Sequence, residues 1–304
     1  MRVQVRTIQQ KRDCITLIGL GNWGTALASA LFSARIPIEA IVVRKLREGD
    51  RKLAQKYGAR IVPFRQARLD AEIVWICTPD SAIAKTAAAL AKRGLLEKSQ
   101  VVLHSSGALT STELAAARHA GASVASVHPL MSFPQRVGMK DAAASLRGVP
   151  FALEGDARAI RVATRILRKL GGEPFAIRTR NKAMYHAFGA FASPLVTALL
   201  TAALKTGRAA GLSQADAMRR MQPMVERTIE NFFVHGAGKS LSGPVARGDA
   251  ATVERHLAAL GHTRVLLEIY RALQNFTVDA LPGKNKAALR KVLHTSVYEE
   301  NKPR

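Results

Sequence analysis

The chain has 304 residues, with 46 Lys+Arg against 22 Asp+Glu for a formal net charge of +24, and two cysteines. Its 48% hydrophobic and 22% charged residues are those of an ordinary globular protein, and the length suits two domains. A disordered tail, a collagen, a coiled coil, a disulfide framework and paired Cys/His zinc spacing are thereby excluded.

The charge first suggests nucleic acid or an anionic membrane. Cut at Ile177, however, the chain has 27 basic and 13 acidic residues before and 19 and 9 after, so neither half carries the excess alone. Most basic residues, such as Arg161, Arg165, Arg168 and Lys169, stand singly on helical faces exposed to solvent. The one dense stretch is Arg44 to Arg68, with nine basic and two acidic residues. The expectation is no specific nucleic acid and no membrane.

Met1 to Asp13 is polar and basic without an apolar run, which reads as a mobile extension rather than a secretory signal. Cys14 to Ile18 is a β-branched strand ending in glycines, followed by an alanine-rich helix from Asn22 to Ser33. Further strands fall at Ile38 to Val43, Arg60 to Val62, Glu72 to Cys77, Val101 to Leu103 and Ser123 to Val127, with helical stretches between them. Two more, Pro150 to Leu153 and Glu173 to Ile177, flank a helix from Arg158 to Leu170. Continuous apolar strands alternating with helices predict an α/β fold with a doubly wound parallel sheet over residues 14–178. Residues 179–304 read as a second, all-helical domain. Ala183 to Leu204 lacks Lys, Arg, Asp and Glu. Its alanine content and its polar residues predict a helix buried by protein on all sides rather than a membrane span. Cys14 and Cys77 fall at opposite ends of neighbouring strands, so free thiols in a reducing cytoplasm are expected.

Gly19-Leu20-Gly21-Asn22-Trp23-Gly24 matches G-x-G-x-x-G where a strand meets a helix, the context in which that pattern binds a dinucleotide. The first glycine permits the turn, the second lets backbone approach a pyrophosphate, and the third lets helix and sheet pack. An acidic residue after the second strand would receive the ribose hydroxyls of NAD. This chain has Arg44 and Lys45 there, with Arg47 next, which predicts NADP(H) through pairing with the extra phosphate. Thr78-Pro79-Asp80, His104-Ser105-Ser106-Gly107 and His128-Pro129 end three successive strands at one sheet edge. Thr78, Pro79 and Ser105 are assigned to the cofactor, and His104, Ser106 and His128 to the substrate. Asp80 or Ser81 is equally a helix N-cap.

Lys182, Tyr185 and His186 share one face of the first C-terminal helix. His186, an imidazole whose unperturbed pKa lies near neutrality, is a candidate proton donor on that face, with Tyr185 beside the substrate. In Leu241 to Asp249, Ser242 and Arg247 are candidates for binding a substrate carboxylate, and Asp249 for a helix N-cap.

With these residues in place, the chain resembles the superfamily of NADP-binding Rossmann domains joined to a helical C-terminal domain. Hydroxyacid dehydrogenases, ketopantoate reductase and pyrroline-carboxylate reductase share that plan. More closely, it resembles a bacterial Rossmann-like family whose C-terminal domain is of unknown function. The matching stretches are His104 to Thr110, Ser126 to Pro134, Lys182 to His186 and Leu241 to Asp249. The resemblance implies an NADP(H)-dependent oxidoreductase acting on a small carbonyl or imine compound, a 2-oxo acid such as ketopantoate among them. Because the superfamily often carries a lysine on the corresponding helix, it also implies Lys182 as the first candidate, ahead of His186, for the proton donor in that reduction, with an active site between the domains and a homodimer. A catalytically silent NADP-binding sensor is the other reading. The family's usual polar residue after Ser193 is here Pro194, which is expected to kink the helix.

Overall fold

The computed structural model describes residues 13–133 and 146–295. Residues up to and including Ser193 form one compact unit and residues from Pro194 a second.

The first unit is built on one eight-stranded sheet of order β3-β2-β1-β4-β5-β6-β7-β8. The strands are β1 (Ile15–Ile18), β2 (Ile38–Val43), β3 (Arg60–Pro63), β4 (Ile73–Ile76), β5 (Val101–His104), β6 (Ser123–Pro129), β7 (Pro150–Gly155) and β8 (Glu173–Ala176). All neighbouring pairs are parallel except β6–β7, which is antiparallel. The helices are α1 (Asn22–Ser33), α2 (Glu48–Lys56), α3 (Asp80–Lys92), α4 (Ala115–His119), α5 (Ala157–Lys169) and α6 (Lys182–Ala192). Strands β1, β4 and β5 are buried along their whole length because each face of the sheet has its own apolar layer. On one face Leu27 and Leu31 of α1 and Val162 and Ile166 of α5 pack with Leu17, Trp75 and Leu103. On the other, Ile83, Ala87 and Leu90 of α3 and Ala117 of α4 pack with Ile18, Val74, Ile76 and Val102.

The cysteines behave as expected. Cys14 and Cys77 are free and flank the paired strands β1 and β4 at opposite ends. Most of the basic N-terminal segment lies outside the described residues. Its last residue, Asp13, is an ion-pair partner of both Arg165 and Lys169, so the outer face of α5 is less purely solvated than its sequence suggests.

By its contacts the chain divides after Ser193, with the expected boundary near Arg178 inside the first unit. Helix α6 belongs with the first unit, because it is seated on the sheet through Lys182, Tyr185, His186 and Gly189. At Ser193 the backbone turns to φ −135°, ψ −79°, and a separate helix α7 (Pro194–Ala209) begins at the proline, so the expected kink is a break.

The second unit is helical. It contains α7, α8 (Gln214–Ser240), α9 (Pro244–Arg247), α10 (Ala250–Leu260), α11 (Arg264–Ala280) and α12 (Lys286–His294). Its core is small and gathers Val253 and Leu257 of α10, Leu267 and Val278 of α11, and Leu289 and Leu293 of α12.

The expectation that Ala183 to Leu204 is enclosed by protein is overturned. The helical run Thr179–Ala209 is long and apolar enough to cross a membrane by length and composition. Yet α6 buries only Lys182, α7 buries no residue, and Met184 and Phe191 are 76% and 72% exposed. Apolar character all round a helix says that it is to be covered, not that its own chain covers it.

Candidate active site

The glycine-rich turn lies between β1 and α1, and its three glycines have different reasons to be glycine. Gly19 has φ +103°, and a Cβ there would sit 2.9 Å from the Cys77 carbonyl oxygen. A Cβ on Gly24 would sit 2.3 Å from the Gly19 carbonyl oxygen. Both glycines are required by the fold. Gly21 is not: its φ of −77° suits any residue, and a Cβ on it would meet nothing within 4 Å. Gly21 itself lines a cavity of about 560 Å³. Gly21 is also the N-cap of α1 and supplies no side chain to bond the first N–H groups of the helix, so these are left for an anion.

Gly19, Leu20, Arg44, Lys45, Thr78 and Pro79, all assigned to the cofactor, line this cavity. Of the other residues assigned to the cofactor, Asn22, Trp23, Gly24 and Ser105 do not line it. The Asn22 amide donates to the Phe133 carbonyl, and the Ser105 hydroxyl accepts from the Trp75 indole. Trp23 packs against Trp75, Phe133 and Phe151. Arg47 joins Arg44 and Lys45, and a fourth cation, Lys85, enters from α3. Lys85 escaped the sequence reading, although Ala82, Lys85, Thr86 and Ala89 share the i, i+3, i+4, i+7 spacing of one helix face. Thr78 has its hydroxyl buried without a partner among the described residues. An open cradle over Gly21, uncapped N–H groups, an orphaned hydroxyl and a cationic rim together fit a phosphorylated dinucleotide.

Beyond the cavity a second polar group crosses the sheet. Ser126 of β6 stands opposite His104 of β5 in the parallel pair and opposite Glu154 of β7 in the antiparallel pair. All three are buried, and Lys182, fully buried at the start of α6, donates to the Ser126 hydroxyl at 2.6 Å. Glu154 accepts from the Ser111 N–H (2.6 Å), the Ser111 hydroxyl (2.9 Å) and the Thr179 hydroxyl (2.9 Å). Burial lowers Lys182 from 10.5 to about 8, against the opposing pull of Glu154 and Asp80.

His104 has both ring nitrogens committed. Nδ1 accepts from the Ser106 N–H, which leaves Nε2–H to donate to the Thr110 carbonyl at 3.0 Å. Burial lowers it to about 4, so it is a neutral structural imidazole with no atom left for a ligand, contrary to its assignment to the substrate. Ser106 is likewise occupied, donating to Asp80 and accepting from the Leu109 N–H. Asp80 therefore does not cap α3 with its side chain.

His128, Tyr185 and His186 do come together. His128 Nδ1 is 3.0 Å from the Tyr185 hydroxyl, and the His128 and His186 rings lie 5.8 Å apart, centroid to centroid. Gly107 is pressed against both imidazoles, since a Cβ there would sit 2.3 Å from His186 Cδ2 and 2.7 Å from His128 Nε2. Burial, then the nearby Lys182, lowers His128 to about 3, and burial raises Tyr185 to about 12, so both are neutral near pH 7. His186 is the exposed member. The second unit holds the remaining candidates, Ser242 and Arg247, both exposed. Asp249 caps α10 as predicted, accepting from the Thr252 N–H and hydroxyl.

Comparison with known proteins bears on the fold that carries these residues. Residues 3–129 match the model of a Rossmann-like domain, and residues 149–277 match a domain of unknown function, DUF2520. The chain is a Rossmann-like protein with a DUF2520 domain. No curated protein matches the sequence. Among solved structures, a candidate NADP oxidoreductase from Bacteroides fragilis is similar at a TM-score of 0.71 and 19% identity, covering 87% of this chain and 97% of that one. A Thermotoga maritima protein gives 0.67 and 24%, covering 92% and 98%. The imine reductase of Myxococcus stipitatus, solved with NADP+, gives 0.62 and 16%, covering 93% and 100%. At these identities the likeness establishes the fold.

Proposed function

We propose that this DUF2520 protein is an NADP(H)-dependent oxidoreductase that transfers hydride to or from a small carbonyl or imine compound, 2-oxo acids being the first class to test. The observation that carries this reading is Gly21, a glycine with no reason in its own fold and open space above it. The nicotinamide, when bound, supplies or accepts the hydride. The chain's residues do the rest. The α1 N-terminus receives the pyrophosphate, and Arg44, Lys45, Arg47 and Lys85 receive the additional phosphate of NADP. Two groups on α6 hold a proton for the developing charge of the product: His186 at the exposed end of the cluster and Lys182 beneath it.

The test is a screen of 2-oxo acids and cyclic imines for loss of NADPH absorbance, with Lys182→Ala and His186→Ala beside the parent. Turnover with at least one class supports the reading. Tight NADPH binding without turnover across the panel favours the sensor instead, and tighter NADH than NADPH binding overturns the cofactor assignment.

We also propose that the protein works as a homodimer. Helix α8 buries a single residue, Ala217, and leaves Phe232, Phe233 and Val234 exposed, while α7 and α11 expose Leu195, Leu199, Val265 and Phe276. Large apolar side chains exposed on three helices are candidates for an interface, and a stable dimer covers about 800 Å² per partner. Sedimentation velocity at micromolar concentration is expected to show a dimer. A monomer, or protein recovered only with membranes, overturns this.

A further inference from the structure

The buried row across the sheet contains a carboxylate to which the hydride-transfer reading gives no task. Glu154 is 2% exposed, and its described contacts are all neutral donors. No lysine or arginine lies within ion-pair distance of it among the described residues, although a buried charge is ordinarily paired. Its cross-strand neighbour on the same face is Ser126, and opposite side chains in such a pair stand about 5 Å apart. Ser126 in turn holds Lys182, whose described contacts include no anion within 4 Å. Ser126 therefore stands between the two buried charges, its hydroxyl accepting from Lys182 and donating to the Ser106 carbonyl. Glu154 also holds Thr179, three residues before Lys182, so both anchors of the start of α6 run to the same row.

We infer that Glu154 is a positioning residue that acts through Lys182: it supplies the counter-charge that keeps the buried ammonium in place and ties the start of α6 to the sheet. This rests on the reading of Lys182 as a proton-bearing group of the site. The other ionisable groups facing Lys182 are Asp80 at the start of α3, His104 on β5 and His128 on β6, with Tyr185 and His186 on its own helix. Both buried histidines are neutral near pH 7, so the anions that set the charge on Lys182 are Glu154 and, more weakly, Asp80. The seating of α6 then bears on the cluster directly, since the same helix carries Tyr185 to His128 and His186 against Gly107.

The test reads Lys182 itself rather than turnover. The protein is produced with lysine labelled at Cε, Lys182→Met assigns the resonance, and its titration is followed by NMR in the parent, Glu154→Gln and Glu154→Asp. In Glu154→Gln the midpoint is expected to fall by about one pH unit or more, a tenfold change in proton affinity, and in Glu154→Asp by less. If Glu154→Gln does not fold, Glu154→Asp decides, because withdrawing the carboxylate by one methylene still moves the midpoint down. An unchanged midpoint in the folded variants overturns the inference. If the midpoint moves while Lys182→Met retains full turnover, the proton-donor reading fails and the role of Glu154 toward Lys182 stands.

Discussion

Replacing Lys182 by methionine is expected to make the protein more stable and less active at once. The side chain is fully enclosed, its described hydrogen-bond partner is the Ser126 hydroxyl, and Met fills nearly the same volume. The fall of its pKa from 10.5 to about 8 corresponds, at 1.36 kcal/mol per tenfold change, to at most about 3 kcal/mol by which burial of the ammonium penalises the folded state. Losing the hydrogen bond to Ser126 returns about 1 kcal/mol of that, so a net gain of about 2 kcal/mol is expected at pH 7. The pH dependence has a definite sign. Below pH 8 both folded and unfolded chains hold the proton and the penalty is complete. Between about 8 and 10.5 the folded chain releases it while the unfolded chain keeps it, so the parent gains stability with rising pH and its gap to the variant closes. Urea unfolding of both proteins at pH 7 and pH 10 measures this. A variant that unfolds at lower urea than the parent at pH 7, or a gap that does not change with pH, would refute the reasoning.

The remaining predictions concern the dinucleotide cavity and the histidine cluster. Gly21→Ala should raise the Kd for NADPH about tenfold with thermal stability changed by less than about 0.5 kcal/mol, whereas Gly24→Ala should lose about 3 kcal/mol by overpacking. Isothermal titration and thermal melts separate the two. Arg44→Ala should weaken NADPH binding about 10- to 100-fold and Lys85→Ala more modestly, while NADH affinity hardly moves in either. If reduction draws its proton from Lys182, the rate should hold below about pH 8 and fall above it, with no limb near pH 6 from His128 or His104, which stay neutral there. A pH–rate profile decides. Gly107→Ala should displace both imidazoles and lower turnover while leaving cofactor affinity in place.

What the sequence disclosed depended on the range of the interactions involved. Helix α1 and strand β2 have the bounds that local pattern predicts, Asn22–Ser33 and Ile38–Val43, because capping and β-branching act within a few residues. The glycine turn and the cations after β2 were legible for the same reason. Glu154 was not, because its importance arises from an antiparallel pairing with a strand more than 20 residues away, and nothing in Phe151 to Gly155 announces its direction. Lys85 required knowing that one face of α3 borders the same cavity as β2. The histidines show the converse: strand-end placement correctly gathered His104 and His128 at one edge, but only the structure separates the one whose nitrogens are spent from the one that faces Tyr185. The apolar run after Ala183 announced burial, and the described residues leave it exposed.

The crossing of the sheet by His104, Ser126, Glu154 and Lys182 has a consequence for how such chains diverge. A lone apolar replacement of Glu154 leaves a sealed ammonium with little to balance it, whereas a lone loss of Lys182 leaves a carboxylate that its three neutral donors still satisfy. Sequence drift through this row therefore has a direction. Among relatives of this chain, the glutamate can stand without the lysine, but the lysine should not be found without the glutamate, although 28 residues separate them.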